Sequence, residues 1–135
     1  MNKMKERVTP DNITDLGEDE IFVFGSNESG IHGAGAAKTA LSFGAQIGVG
    51  FGHKGQTFAI PTKDWRVGKL DIKYIKSYVE RFIDYAALMK PYIFLVTEIG
   101  CGLAGYTPKE IAPLFKKAKD IPNIYLPEKF WKYYN

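Results

Sequence analysis

The chain has 135 residues, of which 45% are hydrophobic and 24% charged, and a net charge of +3 at neutral pH. That length fits one domain able to bury a core without metal or disulfide staples, and the composition excludes a disordered or fibrous chain. A single cysteine, Cys101, excludes an internal disulfide, and the mild positive charge suits a handler of anions without demanding nucleic acid.

The opening residues, Met1 to Asn12, contain no apolar leader-like run, and no segment reaches membrane-spanning length. No repeat or long linker divides the chain. It therefore reads as one cytoplasmic domain over residues 1–135, with no membrane partner and no metal or cofactor expected.

The first strand signal is Glu20 to Gly25, a short bulky apolar run suited to burial on both sheet faces. A loop, Ser26 to Ile31, leads to a helix predicted from about His32 to Phe43, with Gly44 where a C-terminal cap belongs. Gly44 to Gly55 is too glycine-rich for a helix and reads as a long loop. Thr57 to Pro61 is a second strand. Leu70 to Met89 has helical periodicity, with Ile72, Ile75, Val79, Phe82, Ile83 and Ala86 on one face. Tyr92 to Ile99 is a third strand. Thr107-Pro108-Lys109-Glu110 starts a helix, with Thr107 as cap and Glu110 completing a capping box. That helix carries Ile111, Leu114, Phe115 and Ala118 inward, and Ile124 to Leu126 is a short last strand. Phe130, Trp131, Tyr133 and Tyr134 give the C-terminus a dense aromatic cluster, which docks either on the body or on another subunit.

Alternating strands and helices predict an α/β domain, a three-layer α/β/α sandwich with a mainly parallel central sheet. Ligands bind such sheets beyond the carboxyl ends of the strands. Two glycine-rich loops, Gly25 to Gly35 and Gly100 to Gly105, both follow strands and so belong at that end.

In the first loop, Phe24-Gly25-Ser26-Asn27 is followed by His32-Gly33-Ala34-Gly35-Ala36-Ala37-Lys38. Free N–H groups at a helix start bind phosphate, and small residues let it approach. No acid occurs from Ser29 through Lys63, whereas Lys38, Lys54 and Lys63 do. The plainer reading is tight strand–helix packing, which also needs glycine. A P-loop is excluded, because Ala37 precedes Lys38-Thr39 and His32 holds the leading glycine position. A dinucleotide fingerprint fails too, because Lys38 takes the last glycine place and no ribose-binding acid follows at the expected distance.

In the second loop, Gly100-Cys101-Gly102-Leu103-Ala104-Gly105-Tyr106 is another cradle of backbone amides. Cys101 is either a thiolate nucleophile or a small buried hydrophobe. A metal site from His32, His53 and Cys101 lacks ligand spacing. Lys63, at the end of the second strand, either pairs with phosphate, attacks a sugar C1 as an amine, or is a solvated surface lysine.

Taken in chain order, these segments resemble the macrodomain family. Asp11-Asn12-Ile13-Thr14 is similar to the family's G-D-I-T segment, with Asn12 in place of the acid that contacts adenine. Phe22 to Asn27 resembles the strand ending N-A-A-N, Gly33-Ala34-Gly35-Ala36 the G-G-G-V turn, and Gly102 to Tyr106 the second diphosphate loop, G-I-Y-G-F. Lys63 and the stretch Ile99 to Leu103 resemble the terminal ADP-ribose glycohydrolase branch and its DNA-directed relatives. The aspartate that follows that stretch in the glycohydrolases is replaced here by Ala104, and Ala37 stands where another hydrolytic branch has its aspartate. The whole pattern also looks like a small phage-associated macrodomain-like family.

The resemblance implies binding of ADP-ribose or a related NAD-derived nucleotide. Its diphosphate bridges the amides of Ser26, His32, Gly33, Ala34, Gly35 and Ala36 and those of Gly100, Cys101, Gly102, Leu103, Ala104 and Gly105. Asn12 meets the adenine, Asn27 the distal ribose, and Tyr106 packs on a ribose or base face. An alternative is an ADP-ribosyl hydrolase acting on a modified protein or nucleic acid. Lys63 is then the nucleophile, Asn27 positions the ribose, and Asp64, Glu98 or a water acts as base. A further alternative is a phage or prophage interaction protein with a degenerate pocket.

Overall fold

The computed structural model describes residues 7–134. They form an α/β fold whose mixed five-stranded sheet runs in the order β2-β3-β1-β4-β5. The strands are β1 (Glu20–Asn27), β2 (Gly52–Lys54), β3 (Thr57–Lys63), β4 (Ile93–Val96) and β5 (Ile124–Tyr125). β1 pairs in parallel with β3 and β4, and β4 with β5, while β2 runs antiparallel to β3. The helices are α1 (Gly35–Leu41), α2 (Ile72–Leu88), α3 (Pro108–Ile111) and α4 (Glu128–Trp131).

The unbroken apolar run of β1 feeds two cores. Ile21 and Val23 join Phe58, Ile60, Phe94 and the inward face of α2, whereas Phe22 and Phe24 join Ala59 and Ala37 and Ala40 of α1. Successive strand residues point to opposite faces, so a strand covered on both sides needs no polar alternation. On α2 the buried positions are Ile75, Val79, Phe82, Ile83 and Ala86 of the predicted stripe, with Ile72 partly buried at its start. Among the described residues, no helix is long and apolar enough to cross a membrane.

Four local predictions are corrected. First, α1 begins at Gly35 rather than His32, because Ala34 is extended (φ −153°) and the buried His32 side chain pins the chain before the helix. At its far end the helix stops at Leu41 rather than Phe43, and Gly44 closes it. The Gly44 N–H donates to Leu41 O and the Ala45 N–H to Ala40 O, with Gly44 at φ +110°, a Schellman closure. Second, the loop Gly44–Gly55 contains the edge strand β2, which is three residues long and too short to show a period. Third, β4 ends at Val96, where the Thr97 N–H and hydroxyl both turn to Val23 O and end the ladder. Fourth, the helix begun at Thr107 is α-helical for one turn only. The capping box forms as predicted, but residues Ala112–Asp120 wind as a 3₁₀ helix. Pro113 has no N–H for an α-type bond, and its ring crowds the carbonyl four residues back. Ile111, Phe115 and Ala118 are still fully buried, and Leu114 partly so.

The C-terminal aromatics dock on the body. Phe130, Trp131 and Tyr134 are buried, and Tyr133 stays exposed. Trp131 Nε1 donates to Arg7 O (2.9 Å), and the Tyr134 hydroxyl donates to Ala112 O (2.6 Å). Burial pushes the ionisation of Tyr134 well above the ordinary phenol range. The bridge between Val8 and Leu126 ties the start of the described chain to its end, at the margin of the sheet.

Candidate functional site

Because β1, β3 and β4 are parallel, their carboxyl ends open on one side of the molecule. A cleft of about 590 Å³ lies there, within the size range of small-molecule sites. It brings together Asn12, Ser26, Asn27, Gly33, Ala34, Gly35, Ala36, Lys63, Gly100, Gly102, Leu103 and Ala104. His32, Cys101, Gly105 and Tyr106 do not line it.

The first loop is organised by Asn27. Its side-chain carbonyl accepts from the Ile31 N–H (2.8 Å) and the Ser29 hydroxyl (2.9 Å), and its amide donates to Ile31 O (2.7 Å). The side chain thus shapes the loop, with one amide hydrogen left over at the edge of the cleft that Asn27 lines. Behind it, the Ser26 hydroxyl donates to Gly50 O. Gly50 is glycine of necessity, since a Cβ there would lie 2.3 Å from Asn27 O. His32 is turned inward, edge-on to Phe24, with Nε2 3.0 Å from Gln46 O. A carbonyl only accepts, so Nε2 carries the hydrogen, and the ring is a wedge beneath the loop rather than a ligand contact.

Beyond that wedge, the amides of Gly33, Ala34, Gly35 and Ala36 find no acceptor among the described residues, and no side chain caps α1. In the second loop, the Cys101 amide donates to Glu98 O, Gly105 to Gly102 O and Tyr106 to Gly100 O. These bonds close the loop and remove Cys101, Gly105 and Tyr106 as amide donors to a ligand. The amides of Gly102, Leu103 and Ala104 remain free of partners among the described residues. Tyr106 is also not a stacking surface. Its hydroxyl donates to Leu70 O (2.5 Å), and Lys69 Nζ covers its ring at 4.1 Å. It anchors the loop to the segment before α2, and burial, with the Asp71 and Glu110 carboxylates, raises its ionisation.

Cys101 is half-buried, with Sγ 3.5 Å from Ile99 O. Burial, reinforced by the Glu98 and Glu110 carboxylates, pushes the thiol up to about 11. A thiol with so high a pKa is protonated at pH 7 and is no nucleophile there. Alkylation of the folded protein by iodoacetamide should accordingly be very slow at pH 7, rise about tenfold per pH unit with the thiolate fraction, and level off only as the pH approaches 11. Rapid labelling at pH 7, followed by mass spectrometry, would contradict this. His53 sits elsewhere, with Nδ1 2.5 Å from the Tyr85 hydroxyl, and no cluster among the described residues gathers three potential metal ligands.

The charged groups divide cleanly. Lys63 ends β3 in register with Asn27, next to a bulge at Ser26–Asn27, and lines the cleft. Glu98 lines it as well, 3.7 Å from Lys129 Nζ. Asp64 does not. Its carboxylate accepts from the amides of Arg66 (2.9 Å) and Gly68 (2.8 Å) and closes a turn, so it is corrected as a base.

Two glycines in the cleft have no task in the fold. A Cβ added at Gly33 or Gly102 would meet nothing within 4 Å, and neither residue has a positive φ. Neither packing nor backbone conformation requires glycine there, so strand–helix packing does not account for them.

Sequence reading missed Thr9, Pro10, Asp11, Ile13, Phe22, Thr62, Val67 and Pro127 along the cleft. Asp11 and Ile13 carried a signal, flanking Asn12, as did Thr62 beside Lys63.

No family model matches the chain, and no curated protein matches it. Among solved structures it is similar to a protein of unknown function from Bacteroides thetaiotaomicron. The TM-score is 0.60 and the identity 12%, over 89% of this chain and 94% of that one. A likeness at that identity concerns the fold alone.

Proposed function

We propose that this protein is a macrodomain-like α/β/α sandwich that binds ADP-ribose or a related NAD-derived nucleotide in the cleft. The observation that carries the reading is a pair of loops, Gly33–Ala36 and Gly102–Ala104, that line one cleft at the carboxyl ends of parallel strands with amides that find no partner among the described residues. A diphosphate accepts from many donors at once, and glycines without a packing role leave room for it. In this reading the apolar surface of Ile13, Phe22 and Pro127 and the hydrogen-bonding edges of Asp11 and Asn12, all in the cleft lining, take the purine. Lys63 then supplies a positive charge beside the part of the ligand beyond the diphosphate. The same reading places the protein in the cytoplasm, with the nucleotide either free or carried on a protein or nucleic acid.

Calorimetric titration with ADP-ribose is expected to give one-to-one binding. Lys63→Ala should weaken it about three- to tenfold, as loss of a charge-assisted contact does, and flatten its salt dependence. Absence of heat with ADP-ribose, NAD and ADP would overturn the proposal.

A second reading, hydrolytic removal of ADP-ribose from a protein or nucleic acid, is favoured by Lys63 and Glu98 lining the same cleft. Incubation of ADP-ribosylated protein and DNA with the wild-type and Lys63→Ala proteins tests it. Release that the substitution leaves unchanged rules out the lysine as nucleophile.

A further inference from the structure

Val67 is the only non-glycine residue with a positive φ among the described residues, at +63°. For a β-branched side chain this conformation is the least favourable, and it persists only where surrounding bonds enforce it. Those bonds are on hand. The Val67 N–H donates to Asp64 O (3.0 Å) and the Asp64 N–H to Gly68 O (2.8 Å). The Asp64 carboxylate gathers the amides of Arg66 and Gly68, and Lys63 bridges to Lys69 across the base of the turn. A glycine stands one position later, at Gly68, where φ is not positive. The chain therefore places valine, not its neighbouring glycine, at the strained position.

Packing does not explain that choice. Val67 is 41% exposed and belongs to neither core. Its place is the wall of the cleft, four residues after Lys63.

We propose that Val67 is a specificity-determining residue, held over the cleft by the Asp64 turn to pack against the part of the ligand beyond the diphosphate. The inference rests on the nucleotide reading above. It adds that the cleft distinguishes ADP-ribose from ADP through one apolar contact made by a strained residue. Asp64 is a positioning residue that acts through Val67.

The test compares wild type, Val67→Gly and Asp64→Ala by thermal melting and by calorimetry with ADP-ribose and ADP. Glycine relieves the strain, so Val67→Gly melts at a higher temperature than wild type. It binds ADP-ribose about tenfold more weakly, the loss of one buried isopropyl contact, and binds ADP within about twofold of wild type. Asp64→Ala shows the same selective loss without the gain in melting temperature. A more stable Val67→Gly protein with unchanged ADP-ribose affinity overturns the inference and leaves the nucleotide reading standing. So does an equal loss for both ligands. A Val67→Gly protein no more heat-stable than wild type overturns the premise of strain, and unchanged selectivity in Asp64→Ala overturns the role of the turn. Wild-type protein that binds neither ligand sinks the nucleotide reading and this inference with it.

Discussion

On the nucleotide reading proposed above, Gly33→Val and Gly102→Val are each expected to weaken ADP-ribose binding by about a hundredfold or more and to shift the melting temperature by no more than about two degrees. The binding loss follows from displacement. A branched side chain at either position occupies the space in front of the free amides and holds the diphosphate away from two or three of them. Hydrogen bonds to a charged acceptor contribute roughly 1.5–3 kcal/mol each, so losing two corresponds to about a hundredfold or more. The small effect on stability follows from geometry, because an added Cβ meets nothing within 4 Å and neither residue has a positive φ. Gly30 and Gly50 make the contrast. At Gly30 a Cβ would lie 2.4 Å from the Gly48 carbonyl carbon, and at Gly50 2.3 Å from Asn27 O. Those glycines serve the fold, whereas the first pair lines the cleft with open space around it. Calorimetry and a melting curve on the same preparation separate the two. Valine variants that bind like wild type would remove the diphosphate from these loops, and variants that unfold would mean the glycines are structural after all.

Phe58→Ala is the substitution expected to damage the fold most, by about 3–5 kcal/mol. Phe58 is 2% exposed and sits in β3, between the sheet and α2. Its ring centroid lies 4.9 Å from that of Phe82, and 5.3 Å from those of both Phe51 and Tyr85. Truncation removes most of the side chain from the middle of this cluster. It leaves a cavity that rigid aromatic neighbours fill poorly, so the cost exceeds simple transfer to water. For a domain of this size the loss lowers the melting temperature by roughly 10–20 degrees. In urea the midpoint should fall while the slope of the transition holds, because the native surface is nearly unchanged. A loss below about 1 kcal/mol would show that the cluster repacks freely. Because Phe58 packs in the core against α2 and does not line the cleft, the same variant should bind ADP-ribose near-normally at low temperature, where it is folded.

What the sequence determined by itself were features written in neighbouring residues. The run Ile21–Phe24 specified a strand buried on both faces, the spacing Ile75, Val79, Phe82 and Ile83 a helix with one apolar stripe, and Thr107 with Glu110 a capped helix start. Those features put both glycine-rich loops after strands, and hence at one end of a sheet. The tertiary structure alone decided which members of each loop face the cleft. His32 and Tyr106 stand beside the glycines in the chain, yet one wedges against Phe24 and the other bonds to Leu70 O. Likewise the Cys101 and Gly105 amides close their own turn, whereas Asn27 lines the cleft while its side chain bonds Ile31 and Ser29. Thr9 and Pro127 meet at the cleft only because residues 8 and 126 pair at the edge of the sheet, and Val67 enters it only because the Asp64 turn folds back. Local patterns fix which face of an element is buried, since that depends on the period of a helix or strand. A cleft is lined by residues dozens of positions apart, and the register of the sheet and the bonds that close each loop decide which of them reach it.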